Sequence, residues 1–216
     1  MEELDLLKKA WKKDAESFKQ VTENDIYKMI HKRSSSIVKW ILIISILEFV
    51  LWNIIGFLFL GESYIKNKYG KDIINYIIEL NTIYNTISYL VTGFFIYLFY
   101  KNYKKISSTT STKQLMVDIL KTRKTVIYYI WFNIIFFVLG TFAIFYVQLN
   151  YDSNFTYVLQ KINGENGTWF LAKTIGVAVL FIIPIVLVIW LFYKVIYGLL
   201  LGKLNKNYKE LQKIEL

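Results

Sequence analysis

Four long apolar runs, at residues 37–60, 82–100, 125–147 and 169–193, constrain this chain more than any other feature. A bilayer core of about 30 Å takes roughly 20 helical residues, and each run supplies about that number. No water reaches the backbone inside such a layer, so each run must close its hydrogen bonds within itself as a helix. A membrane β-barrel would need alternating apolar and polar side chains. The stretch IWFNIIFFVLGTFAIFYV, ending at residue 147, shows no such alternation. Composition agrees: 55% apolar residues, 18% aromatic residues and a mean hydropathy of +0.38 exceed what a soluble globule carries. With one proline and ten glycines, collagen-like and low-complexity classes drop out. Zero cysteines remove disulfides, thiolate catalysis and cysteine-ligated metals. The expected fold is all-α: a four-helix transmembrane bundle over 37–202, preceded by a short amphipathic cytoplasmic helical segment over 1–36 and followed by a basic cytoplasmic tail over 203–216.

Charge sets the expected orientation. Residues 1–39 hold nine Lys/Arg, 101–124 hold seven and 203–216 hold four, whereas the connections 61–81 and 148–173 hold three and two. Positive-inside bias therefore puts both termini in the cytoplasm. The net charge of +10 is concentrated where this topology needs it, so it reads as a lipid-facing surface rather than a specific nucleic-acid site. Aromatic residues mark the rims. Trp40, Tyr97, Tyr100, Tyr128, Tyr129, Trp131, Trp190 and Tyr193 are expected at the inner interface, and Trp52, Tyr146 and Trp169 nearer the outer one. The first run follows 36 residues rich in both acids and lysines, which reads as an anchor and not a signal peptide.

Outside the lipid, Leu4, Leu7, Trp11 and Phe18 recur near helical spacing among lysines and form one apolar stripe. Such a stripe either lies in the headgroup layer with its lysines flanking, or docks on the rest of the cytoplasmic face, on a second copy or on a protein partner. Thr22 followed by Asp25 predicts a cap that opens a second helix running toward Ser34, Ser35 and Ser36. SSTTST at 107–112 predicts a turn and N-cap, after which 113–124 continue as helix into the third run. These elements together predict a small platform of short helices. The loop at 150–169 is polar with a Gly-rich tip, and its two Asn-X-Thr triplets, at Asn154 and Asn166, read as chance matches.

Glu48 lies at the centre of the first run, where an acid costs about 2.5 to 3.5 kcal/mol to insert. It should therefore face the bundle interior. Its expected partners are Ser88 or Thr92 on the second run and the Leu180 carbonyl, which Pro184 leaves without its usual donor. The second run carries many Asn, Thr and Ser residues and should face protein rather than lipid. Asn53 and Asn133 are candidates for hydrogen bonds between helices. Ala172 with Gly176, Ser88 with Thr92, and Gly198 with Gly202 are spaced for close helix approach. Pro184 itself marks either a simple kink, the commoner case, or a hinge for gating.

No phosphate loop, no HExxH and no G-x-S-x-G occurs in the chain. Its one histidine, His31, falls on the N-terminal cytoplasmic helix, where it reads as an interfacial solvated residue. No catalytic residue, metal ligand or cofactor is expected.

The segments DLLKKAWKKD (5–14), ENDIYKMIHKRSSSIVKWILIISILEF (23–49) and STKQLMVDILKTRKTVIYYIWFN (111–133) resemble a family of uncharacterised four-helix membrane proteins of flavobacteria. The resemblance extends over most of the chain and implies an inner-membrane location. Proteins that look like this carry labels of the β-carotene 15,15′-monooxygenase kind, which imply iron held by several histidines. Three readings result. The first is a non-enzymatic regulatory or scaffold subunit that docks a partner or a second copy through its cytoplasmic helices. The second is a small transporter or ion-conducting bundle that uses Glu48. The third, which the resemblance alone supplies, is a carotenoid-cleaving oxygenase.

Overall fold

The computed structural model describes residues 22–59, 71–151, 155–164 and 167–214. The stripe of Leu4, Leu7, Trp11 and Phe18 lies outside the described residues, as do Asn154 and Asn166. Among the described residues, four long helices and one short helix build the fold: α1 (Glu23–Phe59), α2 (Lys71–Ser108), α3 (Thr112–Tyr151), α4 (Thr156–Ile162) and α5 (Gly167–Ile214). Among the described residues there is no strand, as the apolar runs predict. α1, α2, α3 and α5 are each long and apolar enough to cross a membrane, which makes this a multi-pass membrane protein.

These four helices hold 37, 38, 40 and 48 residues, or about 55 to 72 Å at 1.5 Å per residue. A hydrocarbon core takes up only about 30 Å of that. Most of the excess gathers at the end where α1 begins, α2 turns into α3 and α5 closes, which we call the basic end. The helix expected at 113–124 does run into the third span, and residues 23–36 and 203–214 likewise continue the first and fourth spans where the sequence alone predicts separate short elements. Residues 34–36 stay helical, with Ser34 fully buried. Residues 203–214 are the last turns of α5, because Leu204, Asn207 and Leu211 recur every three or four positions and bury one side of the helix.

Neighbours in the bundle follow the ring α1, α2, α3, α5 and back to α1, while α1 and α3 also touch across the middle. Short α4 packs against α3 and α5. One cluster dominates the core, and it lies in the basic half: Ile30 and Ile41 of α1, Phe99 and Ile106 of α2, Leu115, Ile119 and Val126 of α3, and Leu204 and Leu211 of α5. A second buried group consists only of Ile77 and Val147, with Ile78 packed against it.

Local chemistry closes the helix ends. The Thr22 hydroxyl accepts from the Asp25 amide at 3.2 Å and donates to the Asp25 carboxylate at 2.7 Å, and the Thr22 amide donates back to that carboxylate at 3.3 Å. This reciprocal cap is the one the Thr22 and Asp25 spacing predicts. At the turn from α2 to α3 the last carbonyls of α2 have no intrahelical donors. Side chains of α1 reach this end: His31 Nε2 lies 2.6 Å from the Ile106 carbonyl, and the Tyr27 hydroxyl donates to the carbonyl of Thr109, just past the last turn, at 3.0 Å. A carbonyl only accepts, so His31 Nε2 carries the proton. The solvated role expected of His31 gives way to a half-buried one, with its ring 5.9 Å from that of Tyr27.

Candidate functional site

Glu48 faces the bundle interior, 6% exposed. Its partners, however, are three tyrosines. The Tyr129 and Tyr197 hydroxyls donate to Oε2 at 3.0 and 3.1 Å, and the Tyr193 hydroxyl donates to Oε1. All three rings are buried. Tyr193 and Tyr197 are one turn apart on α5 with centroids 5.9 Å apart, and Tyr129 of α3 meets Tyr197 nearly edge-on at 6.0 Å. From α2, Phe95 and Phe99 each pack against Tyr129 with ring centroids 5.4 Å away. Three of the long helices, α1, α3 and α5, therefore meet at one carboxyl group, and α2 walls its Tyr129 side.

The expected partners fall elsewhere. Thr92 is buried and Ser88 half-buried, but neither reaches Glu48, and no bond joins Glu48 to the Leu180 carbonyl. The reason is register. Glu48 is central in its own apolar run, yet it lies level with the ends of the other three, at Phe99, Tyr129 and Tyr193. Ser88 lies eleven residues from Phe99 along α2, about 16 Å further from that level. Tyr129 and Tyr193, expected at the inner rim, are turned inward, while Trp40, Tyr97, Tyr100, Tyr128, Trp131 and Trp190 do lie exposed. The four-residue spacing of Tyr193 and Tyr197 was the available signal, since it puts two hydroxyls on one helical face.

Other polar candidates bond within their own helices. Asn133 donates to the Tyr129 carbonyl at 2.8 Å and Asn53 to the Phe49 carbonyl at 2.7 Å, so neither links two helices. Thr82 and Thr86 of α2 are exposed and donate to the carbonyls four residues back, so this stretch of the second run faces outward instead of into protein. A hydroxyl that returns its proton to its own backbone is tolerable in lipid. Pro184 is exposed, and α5 continues unbroken across it. Gly176, Gly198 and Gly202 face outward, so these glycines of α5 make no close helix contact among the described residues. The tight approach is instead at Gly140, where an added Cβ would lie 2.5 to 2.9 Å from the Tyr84 ring and hydroxyl. Tyr84 stacks on Phe136 at 4.3 Å and donates to its carbonyl at 3.2 Å.

Toward the basic end a second polar layer ties the helices in pairs. Asn207 of α5 donates to the Ser34 hydroxyl of α1 at 2.9 Å, Asn102 of α2 to the Thr125 hydroxyl of α3 at 3.3 Å, and Arg123 of α3 to Asn205 of α5 at 2.8 Å. Asp118 is buried and accepts from Thr109 and Gln114, each at 3.2 Å. No group of three or more His, Cys, Asp or Glu residues able to hold a metal occurs among the described residues.

Chemically, the Glu48 site joins three helices through one side chain. Two carboxyl oxygens offer about four acceptor positions, and hydroxyl donors from two other helices fill three of them. Among known protein families, the model described as "Domain of unknown function (DUF8845)" fits residues 24–216. No curated protein matches the chain, and no solved structure does.

Proposed function

The chain belongs to the family of that domain of unknown function (DUF8845), and we propose that it is a non-enzymatic scaffold or regulatory subunit of the bacterial inner membrane. In this reading the basic end lies in the cytoplasm, in keeping with the lysines and arginines that crowd there. One observation carries the proposal: the helices outrun the bilayer on that side and pack there around a shared core of Ile30, Ile106, Leu115, Ile119, Leu204 and Leu211. Such an extension gives a rigid mount for the N-terminal stripe of Leu4, Leu7, Trp11 and Phe18, which docks a protein partner or a second copy. Crosslinking in native membranes, followed by capture of the full chain, tests it. Recovery of a defined partner or dimer, lost on Leu7→Glu and Trp11→Glu substitution, is the expected result. A chain that stays monomeric and solitary under all crosslinkers argues against the proposal.

The buried acid favours a second reading, in which Glu48 moves a proton or cation across the bundle. Flux through proteoliposomes would then fall at least tenfold in Glu48→Gln. Equal flux in both proteins, or none in either, removes this reading.

A further inference from the structure

An open groove of about 520 Å³ runs between α1 and α5 near the basic end. Three cations, Lys32 and Arg33 of α1 and Lys203 of α5, line it together with the Ser36 hydroxyl. Trp40, 55% exposed, and Leu200 line it too. The two helices run in opposite directions, yet both order these residues alike. Lys32 and Arg33 lie seven to eight residues nearer the basic end than Trp40, or about 10 to 12 Å along the axis. Lys203 likewise lies beyond Leu200 on the basic side. Met29 also lines the groove, at its basic rim beyond Lys32; from the cations inward to Ile37, Trp40 and Leu200 the lining passes from cationic to apolar along the helix axes.

The one ion pair among the described residues joins Lys206 to Glu210, so no described carboxylate neutralises the three groove cations. A ligand that matches this gradient has an anionic phosphate at one end and hydrocarbon at the other. We infer that the groove binds the phosphate headgroup of an anionic phospholipid, with its acyl chains lying along Trp40 and the apolar face of α5. Basic pockets between transmembrane helices recognise headgroups in this way, the cations pairing with phosphate while Trp holds the interface. This inference needs only the membrane location and stands apart from the Glu48 cluster and from the proposed docking role.

The test uses the full-length protein, stripped of lipid in detergent and offered phosphatidylglycerol, phosphatidylcholine with the same acyl chains, or inorganic phosphate. Bound molecules are counted by native mass spectrometry. Wild type is expected to retain phosphatidylglycerol about tenfold or more in preference to phosphatidylcholine. The K32Q/R33Q/K203Q variant loses that preference. A control with Lys101, Lys104 and Lys121 changed to Gln, all exposed at the same end but outside the groove, keeps it. Equal loss in both variants overturns the site in favour of diffuse attraction, and an unaltered preference in the groove variant overturns it outright. Competition by inorganic phosphate as effective as that of the lipid reassigns the groove to a free anion and overturns the lipid assignment. Circular dichroism of each variant, showing undiminished helix, ties any loss to binding and not to folding.

Discussion

The two halves of the bundle are built on different rules. In the basic half, large apolar side chains are buried to completion and polar side chains link the helices in pairs. In the other half the described contacts from helix to helix are smaller and more exposed, Ile77 with Val147, Tyr84 with Gly140 and Phe136, and the edge-on pairs Tyr76 with Tyr151 and Phe49 with Tyr89, while Leu180 and Phe181 of α5 are each 70% exposed. The solvent explains the contrast. Where helices leave the bilayer, water drives apolar faces together, by about 25 cal/mol for each Å² buried. Within hydrocarbon that drive vanishes, since lipid tails are as apolar as leucine, and association falls to shape and hydrogen bonds. Glu48 and its tyrosines lie where the two regimes meet, and there one polar contact set joins α1, α3 and α5.

The contrast is open to direct attack. Leu204→Ala in the basic half should lower unfolding stability in detergent by about 3 kcal/mol, while Leu180→Ala in the other half should lower it by under about 0.5 kcal/mol. Comparable losses at both positions would erase the distinction. Next in size is Glu48→Ala, which strands three buried hydroxyls and should remove about 2 kcal/mol, with Tyr197→Phe removing about 1 kcal/mol. Thermal unfolding of the two variants checks this, and a Glu48→Ala protein as stable as wild type would show that the carboxyl fastens nothing. At Gly140 a methyl group meets the Tyr84 ring, so Gly140→Ala should cost about 1 kcal/mol. Adding Tyr84→Ala should abolish that penalty, and a double-mutant cycle with no coupling would refute the contact. Smallest is the pair Ser34 and Asn207. The Asn207 side-chain oxygen is buried without a partner, so Ser34→Ala combined with Asn207→Leu should lie within about 0.5 kcal/mol of wild type, whereas Ser34→Ala alone should be the worse of the two. Chemical denaturation of the single and double variants separates these outcomes.

Much of this architecture was legible in the chain. The four apolar runs, the cap at Thr22 and Asp25, the turn at 109–111 and the inward direction of Glu48 all follow from rules that act over one helix at a time. What escaped depends on how one helix slides past another. Ser88, Thr92 and Leu180 were reasonable partners for Glu48 only if all four runs are centred on one plane. α1 is displaced from the others, so Tyr129, Tyr193 and Tyr197 meet the acid instead. The buried turns at 203–214 were hidden for a similar reason. Lys203, Lys206, Lys209 and Lys213 dominate the composition there, while Leu204, Asn207 and Leu211 carry the packing.

Membership of a bilayer, the number of crossings and the accumulation of positive charge on one side are properties of composition along the chain. Hydrocarbon thickness and backbone hydrogen bonding impose them on any sequence of this kind. The order of helices around the ring, the register of α1 and the choice of three tyrosines for one glutamate are decided by side chains far apart in sequence. In lipid, where apolar contact with a neighbouring helix is worth little more than contact with a fatty acid chain, only their shapes and hydrogen bonds select one packing from many.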